Sequence, residues 1–147
     1  LIVTRTFSKA YSLAGLRVGY MVADRKIIRE INKIRLPYNL NGFSQFVACT
    51  VLENVELLEP IIKKIINERA RIYKELIKLQ NVKPFPTDAN FILMRFADSD
   101  KLFNNLISNG ILIRNLNQPG ILRNCLRVCV GKPEENEAFL SRLKSNV

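Results

Sequence analysis

The chain has 147 residues, the size of one domain or of a piece of something larger, and it begins at Leu1 rather than methionine, so a natural start further upstream is expected. With 48% apolar and 24% charged residues it has ordinary globular composition, and no apolar run approaches the roughly 20 residues of a membrane helix, which excludes disorder and points to a soluble, cytoplasmic chain with no membrane partner. A formal charge of +10 favours anions in general, the absence of tryptophan and of nucleic-acid motifs argues against nucleic acid, and the absence of histidine excludes Ser-His or Cys-His catalysis and a histidine-ligated metal.

In chain order, the β-branched run Leu1 to Thr4 predicts a strand that delivers the chain into Arg5-Thr6-Phe7-Ser8-Lys9. Gly15 and Gly19 bracket Leu16-Arg17-Val18, a second strand is expected over residues 18–22, and Asp24 caps a helix over 25–35 that Pro37 stops. Tyr38 to Gly42 is turn chemistry, after which Ser44 is expected to cap a helix carrying Phe46, Val47 and Val51. A longer helix is predicted over 55–79, with Leu58, Ile61, Ile62, Ile65, Ile72 and Leu76 on its apolar face. Its other face, with Lys63, Lys64, Glu68, Arg71, Lys74, Glu75 and Lys78, reads as solvated.

Beyond Asn81 the texture changes. Pro84 and Pro86 mark an extended piece, a strand is expected over 90–96, a helix over 99–108 stopped by Gly110, strands over 111–114 and 125–130, and a last helix over 133–143 begun by Pro133. The order predicts an α/β chain in which residues 1–54 finish one α/β unit, 55–80 form a connecting helix and 81–147 form a smaller α+β unit. Cys49, Cys125 and Cys129 are odd in number and lack a CxxC spacing, so reduced, buried thiols are expected.

The informative chemistry lies near the start. A strand end presents the amine of Lys9 and the hydroxyls of Thr6 and Ser8, and eight residues on Arg17 returns a guanidinium between two glycines. Such a set can hold a phosphate beside a reactive lysine, the common side chain that condenses with an aldehyde. A surface lysine with an incidental arginine is the plain alternative at this spacing.

The string Thr4 to Tyr20, TRTFSKAYSLAGLRVGY, resembles the lysine motif of fold-type I, pyridoxal-phosphate-dependent aminotransferases, and within them the histidinol-phosphate branch. Residues 87–93, 110–114 and 126–136 resemble that family's small-domain strands and closing signature, so the likeness runs along nearly the whole chain. It implies the end of the large cofactor-binding domain followed by a small carboxyl-terminal α+β domain, roughly the last two fifths of the enzyme. Lys9 is then the lysine that takes the aldehyde of pyridoxal 5'-phosphate, with Ser8 and Arg17 on the phosphate and Thr6 close by. Arg127 aligns with the arginine that forks onto the substrate α-carboxylate, a geometry lysine cannot copy. Arg114 is a candidate for a substrate phosphate and equally an ordinary solvent-facing arginine, and Asn90 lies near the site but can simply hold backbone.

By the same resemblance the intact enzyme is a homodimer, with Tyr38-Asn39 in the loop that approaches the neighbouring subunit's site, and it exchanges amino groups between a phosphorylated amine and 2-oxoglutarate in histidine biosynthesis. The family's aspartate for the pyridine nitrogen and its glycine-rich phosphate loop have no counterpart here, so the chain alone is expected to be inactive. Threonine-phosphate decarboxylase and the aromatic and aspartate aminotransferases share much of the pattern, and a non-catalytic anion-binding or dimerisation module is the alternative from another class.

Overall fold

The β-branched run after Leu1 extends as β1 (Ile2–Thr6) and is met antiparallel by β2 (Gly19–Ala23), with Ile2 opposite Ala23 and Thr6 opposite Gly19, in the computed structural model, which describes residues 1–146. The ladder runs two residues further than the apolar run predicts, so pairing itself carries Arg5 and Thr6 to the strand end. Gly19 is required there: a Cβ would stand 2.7 Å from the backbone oxygen of Arg5.

In α1 (Arg25–Ile34) the side chain of Asp24 accepts the Lys26 N–H at 2.8 Å, as the capping pattern predicts. The next helix, α2 (Gly42–Glu53), starts earlier than expected. Its cap is Asn41, not Ser44, because the Asn41 amide oxygen takes the free Ser44 N–H at 2.8 Å and leaves the serine one turn inside, buried. The long helix predicted over 55–79 is interrupted as well. A 3-10 turn covers Val55–Leu57, and α3 (Glu59–Leu76) begins afresh with Pro60 in its first turn, where a missing N–H has no intrahelical partner to lose.

Packing divides the chain into two compact units, Leu1–Ile62 and the residues from Lys63 onward, so the division falls inside α3. The first unit gathers Phe7, Val18 and Ala48 with Tyr11, Leu13, Leu16 and Leu40. In the second, a four-stranded antiparallel sheet is formed by β3 (Lys83–Pro84), β4 (Phe91–Arg95), β5 (Arg114–Asn115) and β6 (Cys125–Cys129), in the order β3-β4-β6-β5. Period-2 alternation sends Ile92, Met94, Leu126 and Val128 to one face, where they are buried with Ile72, Leu76, Leu106, Phe139, Leu140 and Leu143. Each such side chain contributes about 1.5–3 kcal/mol on burial. The opposite face carries Phe91, Leu93, Arg95 and Arg127.

Two helices complete this unit, α4 (Ser99–Ser108), capped by Asp98, and α5 (Pro133–Lys144), which starts on its proline. The strand expected over 111–114 is reduced to Arg114–Asn115. After Gly110, at φ +76°, the N–H of Ile111 turns back to the Leu106 carbonyl, so residues 111–113 finish the exit from α4 instead of pairing with β6.

The charged side of α3 is not simply solvated. Glu68 accepts from Arg71 and Asn136, Arg71 also reaches Glu137, and Glu75 is held by Lys78 and Lys144, which ties α3 to α5. The hydrogen bonds from Arg71 and Asn136 hold the Glu68 carboxyl below the usual range, and those from Lys144 and Lys78 bring Glu75 to about 2. All three cysteines are free thiols, but only Cys125 is buried. Cys129 lies two residues along the same outward-facing row of β6 as Arg127, and Cys49 follows the buried Ala48 on the outer side of α2. Among the described residues no helix is long and apolar enough to cross a membrane.

Candidate functional site

The β1–β2 register does not stop at its last regular pair. The Phe7 N–H donates to the Val18 carbonyl at 3.1 Å, which continues the pairing by one step and leaves Ser8 and Arg17 as the residues next to the last bonded pair. Phe7 turns inward, 3% exposed, with its ring 5.0 Å from Tyr11 and 5.8 Å from Tyr20. That burial fixes the strand end and leaves the residues after it on the outside.

Beyond Phe7 the chain closes a small loop. Ser12 N–H donates to the Lys9 carbonyl at 2.9 Å and Leu13 N–H to the Phe7 carbonyl at 3.0 Å, so Lys9 stands on the turn with its side chain exposed. The Thr6 hydroxyl donates to the Ser8 hydroxyl at 2.9 Å and accepts the Ser8 N–H at 3.1 Å. These two bonds orient both hydroxyls as a pair.

Arg17 follows the 3-10 turn Ala14–Leu16 in the left-handed conformation, φ 57° and ψ 40°. For a residue with a side chain this conformation costs roughly 1–2 kcal/mol, and such strain is retained where surrounding structure imposes it. The guanidinium donates to the Ala14 carbonyl at 2.9 Å, and neither Arg17 nor Lys9 joins an ion pair among the described residues. Two paired hydroxyls, a guanidinium with spare donors and an exposed amine thus belong to the same strand end and the turn beyond it, with neither cation ion-paired among the described residues. The donor set suits a phosphate, and the amine beside it suits a carbonyl.

The second unit presents a different arrangement. Arg127, in the middle of β6, lies with its guanidinium 4.9 Å from the centre of the Phe91 ring, and its Nε is buried without a hydrogen-bond partner. Directly opposite on β5 stands Arg114, exposed. Neither arginine is ion-paired among the described residues, so the structural salt bridge that would make Arg127 an ordinary strand residue is not formed. Two like charges face to face on a ladder destabilise it unless an anion lies between or above them. Both border a cleft of about 740 Å³ that also touches Ile111, Ile113 and Phe139.

Asn90 is exposed and contributes its backbone: its carbonyl accepts the Val130 N–H at 2.9 Å, just beyond the last β4–β6 pair. Tyr38, on the turn before α2, is fully exposed and left-handed, φ 57°. Sequence reasoning missed two residues at these places. Phe91, the ring beneath Arg127, reads only as part of an apolar strand. Ser44 reads as a cap, whereas its buried hydroxyl donates to the Leu16 carbonyl at 3.0 Å. Neither carries a local signal, since both roles depend on partners far along the chain.

The profile of the family described as aminotransferase class I and II matches residues 1–143. A histidinol-phosphate aminotransferase of Flavobacterium psychrophilum is 45% identical over 99% of this chain, and the chain spans 42% of that relative's length. Among solved structures, the histidinol-phosphate aminotransferase of Clostridium acetobutylicum superposes with a TM-score of 0.86 at 28% identity, over 99% of this chain and 45% of that one. The enzyme of the same name from Sinorhizobium meliloti, solved in complex with pyridoxal-5'-phosphate, gives a TM-score of 0.78 at 27% identity, over 99% and 42%.

Proposed function

Because the chain belongs to the class I and II aminotransferase family, we propose that Lys9 binds the aldehyde carbon of pyridoxal 5'-phosphate and that Ser8, Thr6 and Arg17 hold its phosphate. The supporting observation is the bond between Phe7 and Val18, which leaves Ser8 and Arg17 beside the last bonded pair while the next residue, Lys9, stands exposed on the turn. The donors present fit the group: a phosphate takes the paired hydroxyls and the free donors of a guanidinium that no carboxylate occupies.

The reaction proposed is transfer of the amino group between histidinol phosphate and 2-oxoglutarate, a step of histidine biosynthesis, in a cytoplasmic homodimer of the intact protein. When bound, the cofactor supplies the electron sink that makes the substrate's α-carbon acidic. The chain's own residues do the rest. Lys9 would hold the cofactor through its aldehyde, and its Nζ, when free, would act as the base that moves the proton of the substrate's α-carbon. Arg127 holds a substrate carboxylate by two parallel N–H donors, its plane kept by the Phe91 ring. Arg114 adds a second cation for a doubly charged phosphate, and Asn90 borders the site through its backbone. Residues 1–54 finish the cofactor-binding domain, 55–80 connect, and 81–147 form the small domain.

The test is turnover of histidinol phosphate with 2-oxoglutarate by the intact protein, against Lys9→Ala. Loss of turnover with the substitution supports the assignment. Cofactor binding with no turnover of that substrate would overturn the branch and leave the class standing, whereas undiminished turnover in Lys9→Ala would overturn both.

A further inference from the structure

We propose that Ser44 is a positioning residue for Arg17, selecting the backbone orientation that aims the guanidinium at the cofactor phosphate; this rests on the assignment of Arg17 made above. Ser44 is 2% exposed, and its hydroxyl donates to the carbonyl of Leu16, 28 positions away, at 3.0 Å. Its own N–H is held by the Asn41 side chain at 2.8 Å, so the hydroxyl is fixed from the helix side as well.

The geometry connects this bond to Arg17. The Leu16 carbonyl belongs to the same planar peptide as the Arg17 N–H, and that peptide sets the unusual φ of +57° at Arg17. Rotating the peptide plane would let Arg17 relax to negative φ, but it would turn the Leu16 oxygen away from Ser44 and leave a buried hydroxyl without its acceptor. Ser44 therefore stabilises one orientation of the peptide, the one in which Arg17 follows the 3-10 turn in the left-handed conformation. Packing needs no oxygen at this place, since the neighbouring core of Phe7, Val18 and Ala48 is apolar.

The experiment compares binding of pyridoxal phosphate with binding of pyridoxal, which has the aldehyde and lacks the phosphate, in the intact protein. Ser44→Ala is expected to weaken the phosphorylated compound about threefold to tenfold and to leave pyridoxal unchanged. In an Arg17→Gln background the same substitution is expected to have no further effect. Ser44→Cys, close in volume with a weak donor, is expected to show the same selective loss and keeps the test open should the alanine variant fold poorly. Equal weakening of both compounds, full loss added on top of Arg17→Gln, or unchanged phosphate binding in both serine variants overturns the proposal. If Arg17→Gln itself leaves pyridoxal phosphate binding intact, the assignment of Arg17 fails, a separate result.

Discussion

Arg114 and Arg127 occupy directly opposed positions on the β5–β6 ladder, with no carboxylate ion-paired to either among the described residues. Opposed like charges cost a ladder a fraction of a kcal/mol, and an anion that binds both reverses the sign. On the proposed reading, the arrangement trades some stability of the free protein for affinity toward a negatively charged substrate.

Removing one of the two should therefore act in opposite directions. Arg114→Gln is expected to raise the stability of the anion-free protein by about 0.2–1 kcal/mol while weakening binding of a phosphorylated amine substrate. Thermal melts with and without inorganic phosphate read both effects: phosphate should raise the melting temperature of the parent more than that of the variant. An equal phosphate response in the two proteins would remove Arg114 from the site.

Arg127→Lys keeps the charge but loses the two-donor fork and the flat group over Phe91. On the proposed reading, KM for 2-oxoglutarate rises roughly tenfold or more, since hydrogen bonds to charged groups are worth about 1.5–3 kcal/mol. Steady-state kinetics with that substrate decide the matter, and an unchanged KM would show that charge alone suffices.

Gly19→Ala places a methyl against the Arg5 carbonyl and forces the β1–β2 pair apart. Urea unfolding should show a loss of about 1–3 kcal/mol, typical of steric overpacking. Because the same pair of strands carries Ser8 beyond the end of one and Arg17 before the start of the other, affinity for pyridoxal phosphate should fall too. An alanine variant with parental stability and affinity would mean that the strand end tolerates more movement than its geometry implies.

Acid should loosen the bonds between α3 and α5 first. The Glu75 carboxyl lies at about 2 against an ordinary value of 4.5, lowered by its hydrogen bonds to Lys144 and Lys78. A depressed folded-state value means that the stabilisation is fully present above about 4.5 and is lost as pH falls through that range toward about 2. Melting temperatures recorded from pH 6 down to pH 2 should decline less steeply in Glu75→Gln than in the parent; parallel curves would show that Glu75 adds nothing to the acid response. Glu68, lowered by Arg71 and Asn136, acts in the same direction.

Local chemistry made several elements legible in the sequence. Asp24 before α1, Pro133 at the start of α5 and Gly110 after α4 mark their boundaries because each satisfies a requirement of the few residues around it. The strand end that carries the proposed cofactor residues stands out for the same reason, its hydroxyls, amine and guanidinium lying within a dozen positions. What depends on distant partners was not. Nothing near Ser44 says that Asn41 will take the cap and that the serine will face Leu16, and nothing near Arg114 says that the register will set it opposite Arg127. The expected strand over 111–114 failed because the backbone of Ile111 had a nearer acceptor in α4. The charged side of α3 looked solvated because its partners, Asn136, Glu137 and Lys144, lie some seventy residues away.

The central claim is that Lys9 is the residue to which the cofactor attaches. Incubating the intact protein with pyridoxal phosphate, reducing with borohydride and sequencing the modified peptide by mass spectrometry addresses it most directly. The account predicts a single stoichiometric pyridoxyl-phosphate adduct on Lys9, abolished in Lys9→Ala and diminished in Arg17→Gln. An adduct on another lysine, or one that persists unchanged when Lys9 is replaced, would contradict it.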